Sequence, residues 1–177
     1  GASDAAVEAA VTNKMRNMGQ ACNAADHFLV HDSVCEDFAD RLARALSAQR
    51  VGDGTQEGVE VGPLVSARQR EAVAAMVDGA LATGARALTG GSTPEGPGFF
   101  YPPTVLVDVD ARADIIREEI FGPVAPVIAF SSEEEAIALA NDDAVGLTAY
   151  VHTRDMGRVM RLAERLEFGM VGVNSAT

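Results

Sequence analysis

The sequence predicts an α/β fold with a mostly parallel sheet and helices on both of its faces. Short β-prone apolar runs alternate with segments whose apolar residues recur at helical spacing, a pattern typical of strands joined by helical crossovers. The chain has 177 residues, of which 47% are hydrophobic, enough for one domain with a single core. No helix opens directly behind the glycines Gly52, Gly54 and Gly58, so a dinucleotide-binding fold within this chain is not expected.

The first predicted helix covers residues 4 to 18, where Ala6, Ala9 and Met15 are among the apolar residues at helical spacing. Gly19 follows as the flexible residue that commonly ends a helix. Cys22 is therefore expected in the exit loop. Residues 27 to 31 form a short, β-prone run with an apolar centre and predict the first strand.

Two further helices are predicted from sequences that resemble a capping box. Ser33-Val34-Cys35-Glu36 opens one, and Ser66-Ala67-Arg68-Gln69 opens the other, which continues to Gly84. Residues 50 to 65 between them are rich in glycine and predict a loop. Cys35 lies near the apolar face of the earlier helix, so we expect it to pack in the core.

The second half of the chain continues the alternation. Ser131-Ser132 before three glutamates predicts a helix start, and residues 155 to 167 predict the last helix. The remaining predicted strands cover residues 85–89, 105–107, 124–130, 147–152 and 169–174.

Charge and composition exclude several classes of partner. The formal net charge is −12, with 26 acidic and 14 basic residues, and no basic cluster that would contact phosphates. Neither nucleic acid nor an anionic membrane is therefore expected as a partner. No apolar run approaches the roughly 20 residues that span a bilayer, and nothing resembles a signal peptide, so a cytoplasmic location is the simplest expectation.

The cysteines and histidines do not predict a metal site. Cys22 and Cys35 lack the spacing of paired metal ligands, and His27, His31 and His152 form no zinc pattern with the carboxylates. We expect no structural metal.

The sequence around Cys22 resembles a known family. Arg16-Asn17-Met18-Gly19-Gln20-Ala21-Cys22 is similar to the nucleophile segment of the aldehyde dehydrogenase superfamily, whose pattern there is Gly-Gln-x-Cys. Further segments resemble successive landmarks of that family in the same order, and they span nearly the whole chain. They are Gly62-Pro63-Leu64, Phe100-Tyr101-Pro102-Pro103-Thr104-Val105-Leu106, Glu118-Glu119-Ile120-Phe121-Gly122-Pro123-Val124, Ala140-Asn141-Asp142, Gly146-Leu147-Thr148-Ala149 and Gly172-Val173-Asn174.

The resemblance implies the family's catalytic domain fold and makes Cys22 the nucleophile. Its thiolate would attack an aldehyde carbonyl, and after hydride transfer to NAD(P)+ the resulting thioester would be hydrolysed. The local sequence alone leaves open the alternative that Cys22 simply packs, as most cysteines do. Two positions depart from the family pattern: His27 stands where relatives often carry arginine, and Ala24 replaces a second cysteine, which argues against a redox-switch disulfide here.

Arg16 suggests a type of substrate. Among relatives, the run from Lys14 to Gln20 looks most like succinate-semialdehyde dehydrogenases, in which an arginine six residues before the nucleophile pairs with the distal carboxylate of the substrate. A guanidinium can bind a carboxylate with two parallel hydrogen bonds. The alternative is a solvated cation at a helix end, where the helix dipole favours positive charge.

The family pattern also assigns a cofactor contact. By resemblance, Glu119 would accept hydrogen bonds from the nicotinamide ribose, and Phe121 would pack near the nicotinamide ring. The cofactor of the full-length parent would be NAD or NADP, and this chain alone is not expected to bind it.

The family's nucleotide-binding domain, general-base glutamate and oxyanion-binding asparagine would all precede residue 1, and its terminal subunit-joining strand would follow residue 177. We therefore expect residues 1–177 to be the nucleophile-bearing catalytic domain of a longer polypeptide, inactive alone, whose parent is a homo-oligomer acting on a small-molecule aldehyde. Two alternatives stay open: a folded fragment without enzymatic activity, and a semialdehyde dehydrogenase that releases its thioester to CoA.

Overall fold

The computed structural model describes residues 3–142 and 146–176, so Gly1, Ala2, residues 143–145 and Thr177 of the expected domain lie outside the described part. Six α-helices are present in that part. They are α1 (Asp4–Met15), α2 (Asp32–Ser47), α3 (Ala67–Ala82), α4 (Asp114–Arg117), α5 (Glu133–Ala140) and α6 (Met156–Arg165). The strands in the same part are β1 (Phe28–His31), β2 (Arg86–Thr89), β3 (Thr104–Val107), β4 (Val124–Phe130), β5 (Thr148–Val151) and β6 (Met170–Val173).

The main sheet is mostly parallel, as predicted. Its order is β1-β4-β3-β2, and only the edge strand β2 runs antiparallel to its neighbour. The register aligns Phe28 of β1 with Val127 of β4, and Thr104 of β3 with Val124 of β4. Strands β5 and β6 form a separate parallel pair.

Helices cover both faces of the main sheet. Side chains alternate between the two faces along each strand, so a strand with consecutive apolar residues buries side chains on both. Val105 and Val127 point to one face, where they pack in a cluster formed largely by α1 and α2. Leu106 and Ile128 point to the other face, where they pack with α3 and α4. All four side chains are buried. The predicted two-faced α/β architecture is therefore confirmed.

Helix α2 begins differently from its prediction. The residue that caps it is His31, whose Nδ1 accepts the N–H of Ser33 at 3.3 Å, so the helix starts at Asp32. The expected capping box led by Ser33 was therefore wrong. An imidazole nitrogen at the end of β1 supplies the acceptor that the serine was expected to provide.

The helix starts predicted at Ser66, at Ser131-Ser132 and at residue 155 are confirmed. Ser66, Ser132 and Asp155 each accept the backbone N–H three residues ahead, at 3.1 to 3.2 Å.

Helix α6 is bonded to α5, because Glu133 of α5 accepts hydrogen bonds from both Arg158 and Arg161 of α6. These bonds hold the pKa of Glu133 at about 2, well below its usual value, with Arg161 the larger cause.

Candidate active site

Cys22 lies in an exposed loop after a sharp turn at the end of α1. The helix ends at Met15, earlier than the predicted residue 18, and a 3-10 turn follows over Arg16–Gly19. Asn17 and Met18 adopt left-handed backbone angles, with φ of 48° and 55°, which an α-helix cannot contain. The chain therefore leaves the helix axis before it reaches Cys22, whose thiol is free and exposed.

The turn is pressed against a second backbone segment. Gly19 has a φ of +75°, and a Cβ built on it would overlap the carbonyl oxygen of Gly122. Gly122 is itself crowded, since a Cβ there would lie 2.7 Å from a methyl of the fully buried Val73. Only glycine fits at Gly19, and this fit lets the loop of Cys22 approach residues 118–122.

Two adjacent side chains of α1 hold the loop just beyond the thiol. Asn13 donates from Nδ2 to the carbonyl oxygen of Asn23 at 3.1 Å and accepts the N–H of Ala25 at 2.6 Å. Lys14 donates from Nζ to the carbonyl oxygen of Ala25 at 2.8 Å. Both side chains are buried, so these bonds form away from competing water.

Other elements add contacts to the same loop. The hydroxyl of Tyr150 on β5 donates to the carbonyl oxygen of Asn23 at 3.0 Å. Gln20 accepts the N–H of Val65 at 2.9 Å. Residues 20–25, on both sides of Cys22, are therefore fixed by the last turn of α1, the loop before α3 and the β5–β6 pair.

The loop is also bonded to the segment predicted to contact a cofactor. Asp26 accepts the backbone N–H of Ile120 through Oδ1 at 3.2 Å. From the other side, Gln69 donates from Nε2 to the carbonyl oxygens of Ile120 and Phe121, at 3.1 and 3.0 Å. The fold thus brings the backbone of residues 119–121 against the loop that carries Cys22.

Glu119 and Phe121 flank the buried Ile120 in this segment. Phe121 has a left-handed φ of 49° and a half-buried side chain. Glu119 is exposed, and within the described residues its carboxylate makes no hydrogen bond or ion pair. Both oxygens of a carboxylate on an anchored backbone are therefore available to a ligand.

Arg16 begins the 3-10 turn that leads to Cys22. It is exposed, and no other described side chain or backbone group forms an ion pair or hydrogen bond with it. Its guanidinium is thus available to an anion. Cys22 lies three residues after this turn, and no described contact joins it to Arg16.

A comparison with models of known protein families identifies the chain. The model of the aldehyde dehydrogenase family matches residues 2–177. The chain belongs to the aldehyde dehydrogenase family.

Three curated aldehyde dehydrogenases show the range of substrates among similar proteins. The chain is 51% identical over 97% of its length to succinate-semialdehyde dehydrogenase of Paenarthrobacter nicotinovorans, covering 38% of that protein. It is 45% identical over 97% of its length to the NADP(+) succinate-semialdehyde dehydrogenase of Escherichia coli, covering 36%. It is 44% identical over 97% of its length to glutarate-semialdehyde dehydrogenase of Pseudomonas putida, covering 35%. The chain thus spans little more than a third of the curated relatives it matches.

Solved structures of aldehyde dehydrogenases have the same fold. Succinate-semialdehyde dehydrogenase from Burkholderia pseudomallei matches with a TM-score of 0.96 and 47% identity, over 98% of this chain and 36% of the other. An aldehyde dehydrogenase from Bacillus cereus in complex with NAD+ matches with a TM-score of 0.93 and 35% identity, over 97% and 35%. Similar proteins therefore include both NAD and NADP enzymes.

The residues that hold the candidate site were not found from the sequence. Four of them hold the loop of Cys22 through contacts that the sequence does not reveal: Asn13, Lys14, Asp26 and Tyr150. One signal was present: Lys14 is the only lysine of the chain and lies on the same turn as apolar residues. Gln69 was predicted to belong to a capping box, but its side chain reaches residues 120 and 121 instead.

The second thiol lies in a different environment. Cys35 is half-buried on α2 and packs against the core cluster that contains Phe38 and Leu42, as predicted. Burial raises the pKa of Cys35, and the nearby carboxylates of Asp108 and Asp32 raise it further. Its thiolate is therefore disfavoured.

The described residues contain neither a metal-binding cluster nor a membrane-spanning helix. Residues 3–142 and 146–176 contain no group of three His, Cys, Asp or Glu side chains arranged to hold a metal ion. In the same ranges, every helix is too short or too polar to cross a bilayer.

Proposed function

We propose that this chain is the nucleophile-bearing catalytic domain of an NAD(P)-dependent aldehyde dehydrogenase that oxidises succinate semialdehyde to the acid through a thioester on Cys22. The observation that carries the proposal is the exposed thiol of Cys22 in a loop bonded to the backbone of Ile120. This bond fixes the loop of Cys22 relative to residues 119–121, the segment proposed to bind the nicotinamide cofactor. Hydride transfer requires the substrate on Cys22 and the cofactor to be held in a fixed geometry.

In this reaction the thiolate of Cys22 attacks the aldehyde carbon, and the carbonyl oxygen takes up the negative charge of a thiohemiacetal. A nicotinamide cofactor, when bound, supplies the acceptor for the hydride that this carbon loses. The carbon is then a thioester of Cys22, and attack by water releases the acid and restores the thiol.

Glu119 and Phe121 have the properties that cofactor binding needs. The exposed carboxylate of Glu119 would accept hydrogen bonds from the two ribose hydroxyls, for which both of its oxygens are available. Phe121 would offer part of its ring to the nicotinamide. The bonds from Asp26 and Gln69 hold the intervening backbone, so a ligand would need to order only the two side chains.

Arg16 is proposed as the substrate-recognition residue. Its exposed guanidinium, which pairs with no other described residue, suits the distal carboxylate of a semialdehyde substrate, which it would bind through two parallel hydrogen bonds. The identity of 51% with a succinate-semialdehyde dehydrogenase supports this substrate.

We further propose that the chain works within a longer polypeptide that carries a nucleotide-binding domain, and that this complete polypeptide is a cytoplasmic homo-oligomer without a nucleic acid or membrane partner. The curated relatives are nearly three times as long as the matched segment, which supports the first part. The acidic net charge of −12 supports the proposed absence of a nucleic acid or anionic membrane partner.

A substrate screen on the complete polypeptide tests the proposal. Succinate semialdehyde, glutarate semialdehyde and an uncharged aldehyde of similar length are offered with NAD+ and NADP+ in turn, and reduced cofactor is recorded. We expect the highest kcat/KM with succinate semialdehyde, without added CoA. Turnover that requires CoA would instead assign an acylating dehydrogenase, and no oxidation of any aldehyde would reject the proposed activity.

A further inference from the structure

Lys14 is a charged residue in an unusual place. Its side chain is fully buried at the end of α1, and its one described hydrogen bond is to the carbonyl oxygen of Ala25. Burial lowers the pKa of Lys14 to about 8, while the neighbouring carboxylate of Asp26 acts in the opposite direction. Near neutral pH the residue is therefore still mainly an ammonium ion, a form that the negative charge of Asp26 favours.

Stability alone does not explain a lysine at this position. Removing an ammonium group from water is costly, and apolar residues of similar volume often replace buried charge pairs without loss of stability. A methionine would fill the same space at the end of α1. The charge is therefore better explained by what it holds in place.

Asp26 connects this charge to the opposite side of the site. It is the residue after Ala25, and its Oδ1 accepts the N–H of the buried Ile120. Lys14, the loop and the 119–121 segment thus form one continuous set of polar contacts. The set runs from the end of α1, through the loop residues that follow the thiol, to the segment that carries Glu119 and Phe121.

We propose that Lys14 and Asp26 are positioning residues, which together fix Cys22 relative to Glu119 and Phe121. The inference rests on the proposed function of Cys22 as the nucleophile. Neither side chain contacts substrate; each acts through the loop backbone. Loss of the pair lets the loop and the 119–121 segment shift relative to each other, and an error of about 1 Å in such a geometry costs on the order of a hundredfold in rate.

The test uses three variants of the complete polypeptide. Lys14→Met keeps the volume but removes the charge and the donor. Asp26→Asn keeps an oxygen acceptor for Ile120 but removes the charge, and the double variant removes both charges. The matched controls are Arg86→Met and Asp108→Asn, which break an exposed ion pair elsewhere.

We expect each single variant to lower kcat roughly tenfold to a hundredfold, with a smaller change in the KM of the aldehyde, and the controls to leave both constants unchanged. The double variant is expected to be no slower than the slower single variant, because the two residues act as one unit. Independently of turnover, amide hydrogen exchange should become faster in both single variants, in peptides covering residues 22–26 and 118–122.

A kcat of Asp26→Asn within about threefold of the wild-type value would overturn the inference, as would losses that multiply in the double variant. Asp26→Asn tests the inference even where Lys14→Met does not fold. Asp26 is only partly buried, and the asparagine keeps an oxygen that can accept the N–H of Ile120. Failure of the proposed function is recognised separately, since Cys22→Ala would then retain turnover.

Discussion

The two thiols of this chain differ in exposure and in electrostatic environment. Cys22 is exposed in a loop, whereas Cys35 is half-buried on α2 with its pKa raised by burial and by two carboxylates. Because the thiolate is the reactive species, the two sites should separate clearly in a chemical experiment.

We predict that a limiting amount of an alkylating reagent labels Cys22 before Cys35 in the native chain. Peptide mapping after short reaction times measures both rates. The control is the unfolded chain in denaturant, where the two rates should converge. Faster native labelling of Cys35 would contradict the assignment of Cys22 as the accessible nucleophile.

Arg16 should act on one class of substrate only. In the complete polypeptide, we predict that Arg16→Ala lowers kcat/KM for succinate semialdehyde by roughly tenfold to more than a hundredfold, because a charge-assisted hydrogen bond is worth about 1.5 to 3 kcal/mol. An uncharged aldehyde of similar length should be affected far less. Ionic strength must be constant, since salt screens an exposed pair.

The matched control for Arg16 is Arg112→Ala, which removes an exposed arginine whose ion pair with Asp110 lies on another loop. It should leave the ratio of the two kcat/KM values unchanged. Equal losses on both substrates in Arg16→Ala would show that Arg16 supports the fold and does not select the substrate.

At the scale of elements, the helix-start signals were mostly reliable because they are local. Ser66, Ser132 and Asp155 cap the predicted helices with hydrogen bonds that reach only three residues. The capping box predicted at Ser33 was wrong, because His31 caps α2 instead. An imidazole nitrogen can accept a backbone N–H as a serine hydroxyl does. The four-residue helix α4 has too few residues to show a periodic pattern and was missed.

The candidate site was only half predictable from the sequence, and for a physical reason. A family resemblance singled out Cys22 and Glu119, residues almost a hundred positions apart. The groups that join them, Asp26 and Gln69, act through bonds to the backbone of residues 120 and 121. Every residue except proline carries the same backbone N–H and C=O groups, so the sequence does not indicate which of them a distant side chain will bind.

The contact between the thiol loop and the 118–122 segment depends on Gly19. We predict that Gly19→Ala lowers the free energy of unfolding by about 2 to 4 kcal/mol, because the new methyl both disfavours the φ of +75° and overlaps the carbonyl of Gly122. Urea unfolding of the chain measures the effect.

Gly54→Ala is the matched control, since a Cβ there would have no neighbour within 4 Å and its φ is not positive. Its effect should stay within about 0.5 kcal/mol. Similar stabilities of the two alanine variants would show that the Gly19 to Gly122 approach is not required by the fold.

At the scale of the whole molecule, this chain holds a thiol and the segment proposed to bind a cofactor, but no dinucleotide-binding motif was found in its sequence. The match to relatives covers about a third of their length. Hydride transfer needs donor and acceptor held together, which a few exposed side chains do not achieve for a large cofactor.

We therefore predict that the 177-residue chain alone produces no measurable NADH or NADPH from succinate semialdehyde, although Cys22 stays reactive toward alkylating reagents. The complete polypeptide, assayed under the same conditions, is the positive control. Steady production of reduced cofactor by the pure chain would contradict the proposal that a separate nucleotide-binding domain is needed to bind the cofactor.

The central claim is that Cys22 carries the acyl group during aldehyde oxidation. The most direct measurement mixes the complete polypeptide with succinate semialdehyde and cofactor, quenches with acid during turnover, and maps the peptides by mass spectrometry. The account predicts a hydroxylamine-sensitive succinyl group on the peptide that contains Cys22, and neither adduct nor turnover in Cys22→Ala. Wild-type turnover by Cys22→Ala, or an acyl group on another residue, would contradict it.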